Sequence, residues 1–208
     1  MTQPVDPKRR SFWLKTLHEW HWISSAVCLV GILLFSITGI TLNHASQIEA
    51  KAVVANQKAQ LPPALMTEIT AAADDARAAL PVPLREWIAQ NMDVRVGGRS
   101  AEWSDSDIYV SMPRAGGDAW LSIDRSSGEI EFERTDRGWI SWLNDLHKGR
   151  NTGPAWSWFI DVFAIACVVF AITGFFLLQI HARQRPMTWP LVGLGFLVML
   201  LIAILFVH

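Results

Sequence analysis

HWISSAVCLVGILLFSITGITLNH (His21–His44) holds an uninterrupted apolar run, Trp22–Leu42, with an imidazole at each end. A membrane-spanning helix needs ~20 mostly apolar residues, so the run reads as a span. A second stretch of the same design is AWSWFIDVFAIACVVFAITGFFLLQIH (Ala155–His181), whose run Ala155–Ile180 is preceded by His147 and closed by His181. A third run, Pro190–Val207, is shorter and carries no charge. Five of the six histidines, His18, His21, His44, His147 and His181, therefore stand at the ends of two membrane-length runs. Imidazole belongs neither in hydrocarbon nor, by composition alone, so often at its borders.

Composition points the same way. A hydrophobic fraction of 51% with 18% charged residues is too apolar for an ordinary soluble domain. The expected fold is mainly α and membrane-bound: three transmembrane helices with a small external α+β module. The net charge of −1, without a basic stripe or zinc-ligand spacing, gives no reason to expect a nucleic-acid partner. Cys28 and Cys167 each fall inside a span and read as small apolar residues rather than as a disulfide or metal ligands. The first run is too long for a cleavable signal and is followed by no small-residue cleavage site, so it is expected to remain as a signal anchor.

Orientation follows from Lys and Arg near the span ends. Lys8, Arg9, Arg10 and Lys15 precede span one, and Arg183 and Arg185 follow span two, so both segments are expected in the cytoplasm. Lys148 and Arg150 dissent at the other face. Trp13, Trp20, Trp22 and Trp189 mark the inner interface, and Trp139, Trp142, Trp156 and Trp158 the outer one. The expected division is residues 1–44 for the cytoplasmic N-terminus and span one, 45–138 for the external module and 139–153 for an amphipathic interfacial segment. Residues 154–181 form span two, 182–189 a cytoplasmic link and 190–208 span three.

Within the module, Met66–Leu80 is rich in Ala, Asp and Arg and reads as a helix ended by Pro81 and Pro83. Asp107–Met112 (DIYVSM) and Ala119–Asp124 (AWLSID) alternate like strands, and Glu129–Arg134 follows a turn as a third. One helix and a short antiparallel meander are expected. Trp139–His147 (WISWLNDLH) is amphipathic and suits a helix lying on the membrane surface.

A weak internal repeat links the spans. FSITG (Phe35–Gly39) precedes His44, and FAITG (Phe170–Gly174) precedes His181. The two helices run in opposite directions, so the spans read as an inverted pair. That arrangement sets His21 beside His181 at the inner face and His44 beside His147 at the outer one. Histidine pairs on facing helices are how a b-type haem is held by both axial positions. His44 lies 23 residues beyond His21, or ~34 Å at 1.5 Å per residue, more than a hydrocarbon core of ~30 Å. Two haems, one at each face, would then form a transmembrane wire. The bland alternative is that imidazole is comfortable at interfaces; it accounts for any one histidine but predicts no pairing at both faces. His18 and His21 stand about 60° apart on a helix: azimuth favours His18 and the repeat favours His21, so His21 is the expected ligand, with His18 as the alternate or a partner that supports it. Small residues such as Gly31, Gly39, Ala166 and Gly174 allow close helix approach or a flat cofactor. Asp161, inside span two, is either functional or an interfacial acid that caps the helix or pairs with Arg150. Asn43 and Gln179 stand where they would orient His44 and His181, and His208 reads as a bystander.

LHEWHW (Leu17–Trp22), ITGITLNH (Ile37–His44), DLHKGRNTG (Asp145–Gly153) and ITGFFLLQIH (Ile172–His181) resemble the PepSY-associated transmembrane helix proteins. WLSIDRSSGEI (Trp120–Ile130) is similar to the strand-turn-strand of PepSY domains, so the external module is expected to be PepSY-like and periplasmic. The resemblance implies a bacterial inner-membrane protein, with some members resembling haem-b reductases that reduce Fe(III) in siderophores. By matching motif, His18 or His21, His44, His147 and His181 become candidate axial ligands of haem iron. Larger members have four or more spans, which brings a homodimer into consideration for this chain of three.

The reading that results is a b-haem electron-transfer protein passing electrons across the membrane to a periplasmic acceptor, a ferric siderophore or other ferric chelate, with Lys148 and Arg150 attracting the anion. It would be a membrane ferric reductase, although no catalytic residue is assigned. No Gly-rich loop follows a strand, so the electron donor is quinol, a soluble flavin or another protein. The rival is a non-catalytic PepSY-type sensor, peptide-binding or assembly protein anchored in the bilayer.

Overall fold

A computed structural model describes residues 7–48, 51–70 and 77–207. Among the described residues three helices are long and apolar enough to cross a membrane: α1 (Pro7–Asn43), α5 (Pro154–His181), extended by a 3-10 turn over Ala182–Gln184, and α6 (Thr188–Phe206). Between α1 and α5 lie β1 (Val53–Gln60), α2 (Pro63–Thr70), β2 (Arg77–Ala79), α3 (Val82–Met92), β3 (Ser100–Trp103), β4 (Asp107–Ser111), β5 (Gly117–Asp124), β6 (Glu129–Asp136) and α4 (Gly138–Lys148). The molecule is a three-span membrane protein with a small antiparallel-sheet module. The chain divides into two compact units, residues 7–34 with 158–207, and residues 35–157.

In the first unit α1 and α5 meet through small and polar residues. Ser24 and Cys28 are buried on α1, and Thr173 on α5. Gly31 faces the Phe163 ring so closely that a Cβ there would come within 2.2 Å of Phe163 Cε2. Without a hydrophobic drive between helices in lipid, such close approach is what packs them. Helix α6 buries no side chain and touches α5 through a T-shaped Phe175–Trp189 contact at 5.5 Å. The apolar side chains left exposed on all three helices are those a lipid phase would solvate.

In the second unit the sheet runs β1-β6-β5-β4-β3-β2, every neighbouring pair antiparallel. Strict alternation on β5 turns Ala119, Leu121 and Ile123 inward and leaves Asp118, Trp120 and Ser122 on the other face. Leu121 and Ile123 pair with Val110 and Ile108 of β4 and with Phe132 and Ile130 of β6, and helix α3 covers them with Leu84, Ile88 and Met92. Each fully buried Ile or Leu is worth ~1.5–3 kcal/mol relative to exposure, so this strip holds the module together. The β5–β6 turn is closed by Asp124, whose Oδ1 accepts the N–H groups of Ser126 (2.9 Å) and Ser127 (2.7 Å), with Gly128 at φ +73°. The Ser126 hydroxyl and these N–H groups hold the Asp124 carboxyl well down, at about 2.

The three expected strands are the centre of the sheet, and three more flank them. The expected helix over Met66–Leu80 is not formed as one element. Helix α2 ends at Thr70, residues 71–76 lie outside the described residues, and Arg77–Ala79 is a strand paired with Glu102–Ser100. Ala-rich composition favours helix only weakly, and edge pairing overrides it. Pro81 and Pro83 do not end a helix but open α3, as N-cap and first-turn residue, positions where proline's missing N–H costs nothing.

Candidate functional site

The repeat FxITG is the unit from which the site is built. Phe, Thr and Gly stand at i, i+3 and i+4, so on a helix they share one face. Each copy seats a histidine from elsewhere in the chain. On α5, Thr173 Oγ1 lies 3.0 Å from His21 Nδ1, the Phe170 ring stacks on the imidazole at 4.7 Å between centroids and 14°, and a Cβ on Gly174 would stand 3.1 Å from His21 Cε1. On α1, Thr38 Oγ1 lies 2.7 Å from His147 Nδ1, the Phe35 ring lies 5.1 Å from the imidazole, and a Cβ on Gly39 would stand 3.4 Å from His147 Cε1. One side chain bonds the ring and one packs on it; the glycine makes room for His21, whereas at Gly39 a Cβ would be in ordinary contact with His147.

The hydrogen-bond geometry around these rings suits one tautomer. Thr173 donates its single hydroxyl proton to a carbonyl of its own helix, Val169 (2.8 Å) or Phe170 (3.0 Å), and Thr38 donates to Phe35 (3.2 Å). With the hydroxyl proton on its own helix, each oxygen is an acceptor, and a neutral His21 or His147 ring held by it carries its proton on Nδ1 and leaves Nε2 bare. His18 and His181 reach the same state by another route: their Nδ1–H groups donate to the carbonyls of Leu14 and Leu177, both at 2.8 Å. A carbonyl only accepts, so Nδ1 carries a proton in both rings, and the neutral form of each presents a bare Nε2. That is the form in which a neutral imidazole coordinates iron, with the second nitrogen fixed by an outer partner.

His18, His21 and His181 come together in the first unit. The His18 and His181 rings meet edge-on at 6.2 Å, and His21 and His181 line one open cleft of about 270 Å³ with Gly174, Leu177, Gln184 and Arg185. His21 is the histidine the repeat seats, and His18 the one whose ring meets His181. In the second unit His147 is seated, but His44 lies exposed just beyond α1, and among the described residues no hydrogen bond or ring contact joins it to His147.

Helix α4 carries His147 and ties it to the module. Asn144 accepts from Thr41 Oγ1 at 2.9 Å, and the Trp156 indole donates to the Leu146 carbonyl at 2.8 Å. Asp145, 2% exposed, accepts the Gly116 N–H (2.9 Å) with one oxygen and Arg150 Nε (2.9 Å) and Nη2 (2.6 Å) with the other. Gly149, in the left-handed region at φ +67°, ends the helix, and Arg150 N–H closes back on the Asp145 carbonyl. Arg150 is thus paired with a buried carboxylate while its own side chain stays more than half exposed, and Lys148 is exposed. The same pair takes up the arginine that was the alternative partner of Asp161, itself exposed on α5. Gln179 does not orient His181, whose Nδ1 is bonded to Leu177; His208 lies outside the described residues.

Sequence reasoning singled out the glycines of the repeat and passed over Thr38 and Thr173. The signal was present: a polar residue at the same place in both copies of an otherwise apolar motif. A family model described as putative PepSY_TM-like matches residues 12–208. No curated protein and no solved structure gives a significant match.

Proposed function

The chain belongs to the PepSY_TM-like family, and from that premise we propose that it is a bacterial inner-membrane b-haem protein. It would carry electrons to a periplasmic acceptor, a ferric siderophore or another ferric chelate. The observation that carries this reading is the double FxITG cradle, which holds His21 and His147 by Nδ1 and leaves Nε2 without a bond to it.

The donor chemistry fits haem. Among the described residues no three His, Cys, Asp or Glu side chains converge as metal ligands, so iron here would be held by pairs of imidazoles, as a macrocycle that fills the equatorial positions allows. His21 or His18 with His181 would hold one haem, with Arg185 on the cleft wall to receive a propionate. His147 with His44, or with an imidazole from a second copy, would hold the other. Haem b supplies a one-electron iron couple when bound. The protein's part is to hold each Nδ1 through Thr38, Thr173, Leu14 and Leu177, to pack Phe35 and Phe170 against the rings they meet, and to bound the clefts. Lys8, Arg9, Arg10 and Lys15 before the first span, and Arg183 and Arg185 after the second, support a cytoplasmic N-terminus and a periplasmic module. Quinol, a flavin or a protein would donate the electron.

An absorption spectrum of the detergent-purified protein tests this directly. A Soret band that shifts on dithionite addition, at one to two haems per chain by pyridine haemochrome, is the expected result. A colourless protein that fails to take up added haemin would leave a membrane-anchored PepSY module with a sensing or assembly role.

A further inference from the structure

Two contacts fix the register of α1 against α5 in the first unit. His21 lies against Gly174, and Gly31 against the Phe163 ring. The partners run in opposite order along the chain, so the helices are antiparallel, and residues between these contacts on α1 meet those between them on α5. Cys28 stands seven residues after His21 and three before Gly31, while Cys167 stands seven before Gly174 and four after Phe163. Seven residues make nearly two turns, and neighbours three or four apart share a face. Both cysteines therefore fall on the seam that the flanking contacts define, and their thiols share a hydrogen bond across it. Cys28 is fully buried there, whereas Cys167 is only partly covered by protein. These are the chain's two cysteines, distant in sequence and brought face to face. Close packing needs no more than a small side chain at such a seam, as Ser24 and Gly31 supply; a thiol opposite a thiol adds chemistry that packing does not require.

We infer that Cys28 and Cys167 form a reversible disulfide within the membrane, tying α1 to α5, with a lipid-soluble quinone as the oxidant. In this step the two S–H bonds break and one S–S bond forms. The two electrons and two protons released reduce the quinone to its quinol, so atoms and charge balance. Quinones are the sink that keeps disulfide formation running in the bacterial envelope. Cys167, the partly exposed thiol, is the one that a molecule in the lipid phase meets, and Cys28 behind it supplies the second sulfur. Burial of Cys28 also bars it from bonding to another chain. The bond would lie two turns from His21 on the same seam, so the oxidised form locks the helix register on which the Thr173 seat of His21 depends.

Counting free thiols tests this without reference to haem. The detergent-purified full chain is reduced, desalted, treated with decylubiquinone, denatured in N-ethylmaleimide and weighed by intact mass spectrometry. The reduced protein should carry two maleimides and the quinone-treated protein none, with dithiothreitol restoring both. Cys28→Ser and Cys167→Ser should each keep one maleimide after quinone and run as monomers on a non-reducing gel. Two maleimides after quinone treatment, a covalent quinone adduct, or a loss seen only as a disulfide-linked dimer overturns the proposal. Membranes quenched in acid from aerobically grown cells extend the test to the bilayer. A disulfide-linked fraction there upholds the bond, and complete alkylation of both thiols returns the pair to plain packing.

Discussion

Thr38 Oγ1 lies 2.7 Å from Nδ1 of His147, a residue 109 positions further along the chain, and the Thr173–His21 contact repeats this across 152 positions. The same five-residue motif seats both imidazoles, so each copy can be tested against the other. A hydrogen bond of this kind contributes about 1 kcal/mol net, too little to decide whether helices pack. Its effect on a ligand is larger, since outer partners of metal-bound histidines change affinity by ~10–100-fold. Thr38→Val and Thr173→Val should therefore leave the protein folded and lower haem occupancy or shift the midpoint potential, each for one site, and Thr→Ser should restore both. Equal haem content and equal potentials in all four variants would remove the tautomer argument.

Substitutions of the cradle glycines should rank by clearance. A Cβ at position 174 would meet His21 at 3.1 Å, and one at position 39 would meet His147 at 3.4 Å, an ordinary contact. Gly174→Ala should perturb its histidine, read as a lower yield of bound haem or an altered spectrum of His21, while Gly39→Ala should be close to neutral. The opposite ranking would mean that the seating of His21 is looser than described.

Asp145 joins α4 to the turn before β5, and its partner Arg150 is half exposed. Breaking a buried ion pair costs ~3–5 kcal/mol, and exposure of the guanidinium reduces that by solvent screening. Asp145→Ala and Arg150→Gln should each destabilise the protein in denaturant unfolding, and the double variant should lose less than the sum, with a coupling of roughly 0.5–3 kcal/mol. Strict additivity would show that the two side chains act independently.

Asp124 predicts a pH signature. Its folded value, about 2, lies below the ordinary 3.8 because Ser126 and Ser127 hydrogen-bond the ionised form. A depressed carboxyl stabilises the folded state above its unfolded value and loses that contribution as pH falls through the folded one. The stability gap between wild type and Asp124→Asn should thus be constant near neutrality and close between about pH 4 and pH 2. A gap that widens on acidification would contradict the assignment.

Topology is open to reporters. A phosphatase fused at Gly117 should be active and one fused after Arg185 inactive, because Lys and Arg cluster before α1's apolar run and after α5. Swapped activities would invert the inner and outer sites.

Much of the molecule is written locally. The spans are legible because a bilayer demands a long uninterrupted apolar run, a property of consecutive residues, and β4 to β6 are legible because a half-buried strand alternates. Helix α3 carried its signal, Leu84, Ile88 and Met92 at helical spacing, but its prolines read more readily as an ending than as a beginning. Strands β1 and β2 carried little: β1 is exposed along almost its whole length, and β2 is a three-residue edge strand in an Ala-rich segment that favours helix.

By itself the sequence determined that this is a membrane protein of three apolar helices, with histidines at the ends of two of them and an FxITG motif repeated between. Only the tertiary structure decided what the motif does. It put Thr173 against His21 rather than His18, brought the His18 ring against that of His181, seated His147 on Thr38, and made Arg150 the partner of Asp145. The physical reason is reach. Helical spacing places Phe, Thr and Gly on one face, but which imidazole that face meets depends on how helices from distant parts of the chain pack. Helix rotation decides that, and two histidines three positions apart are separated by it.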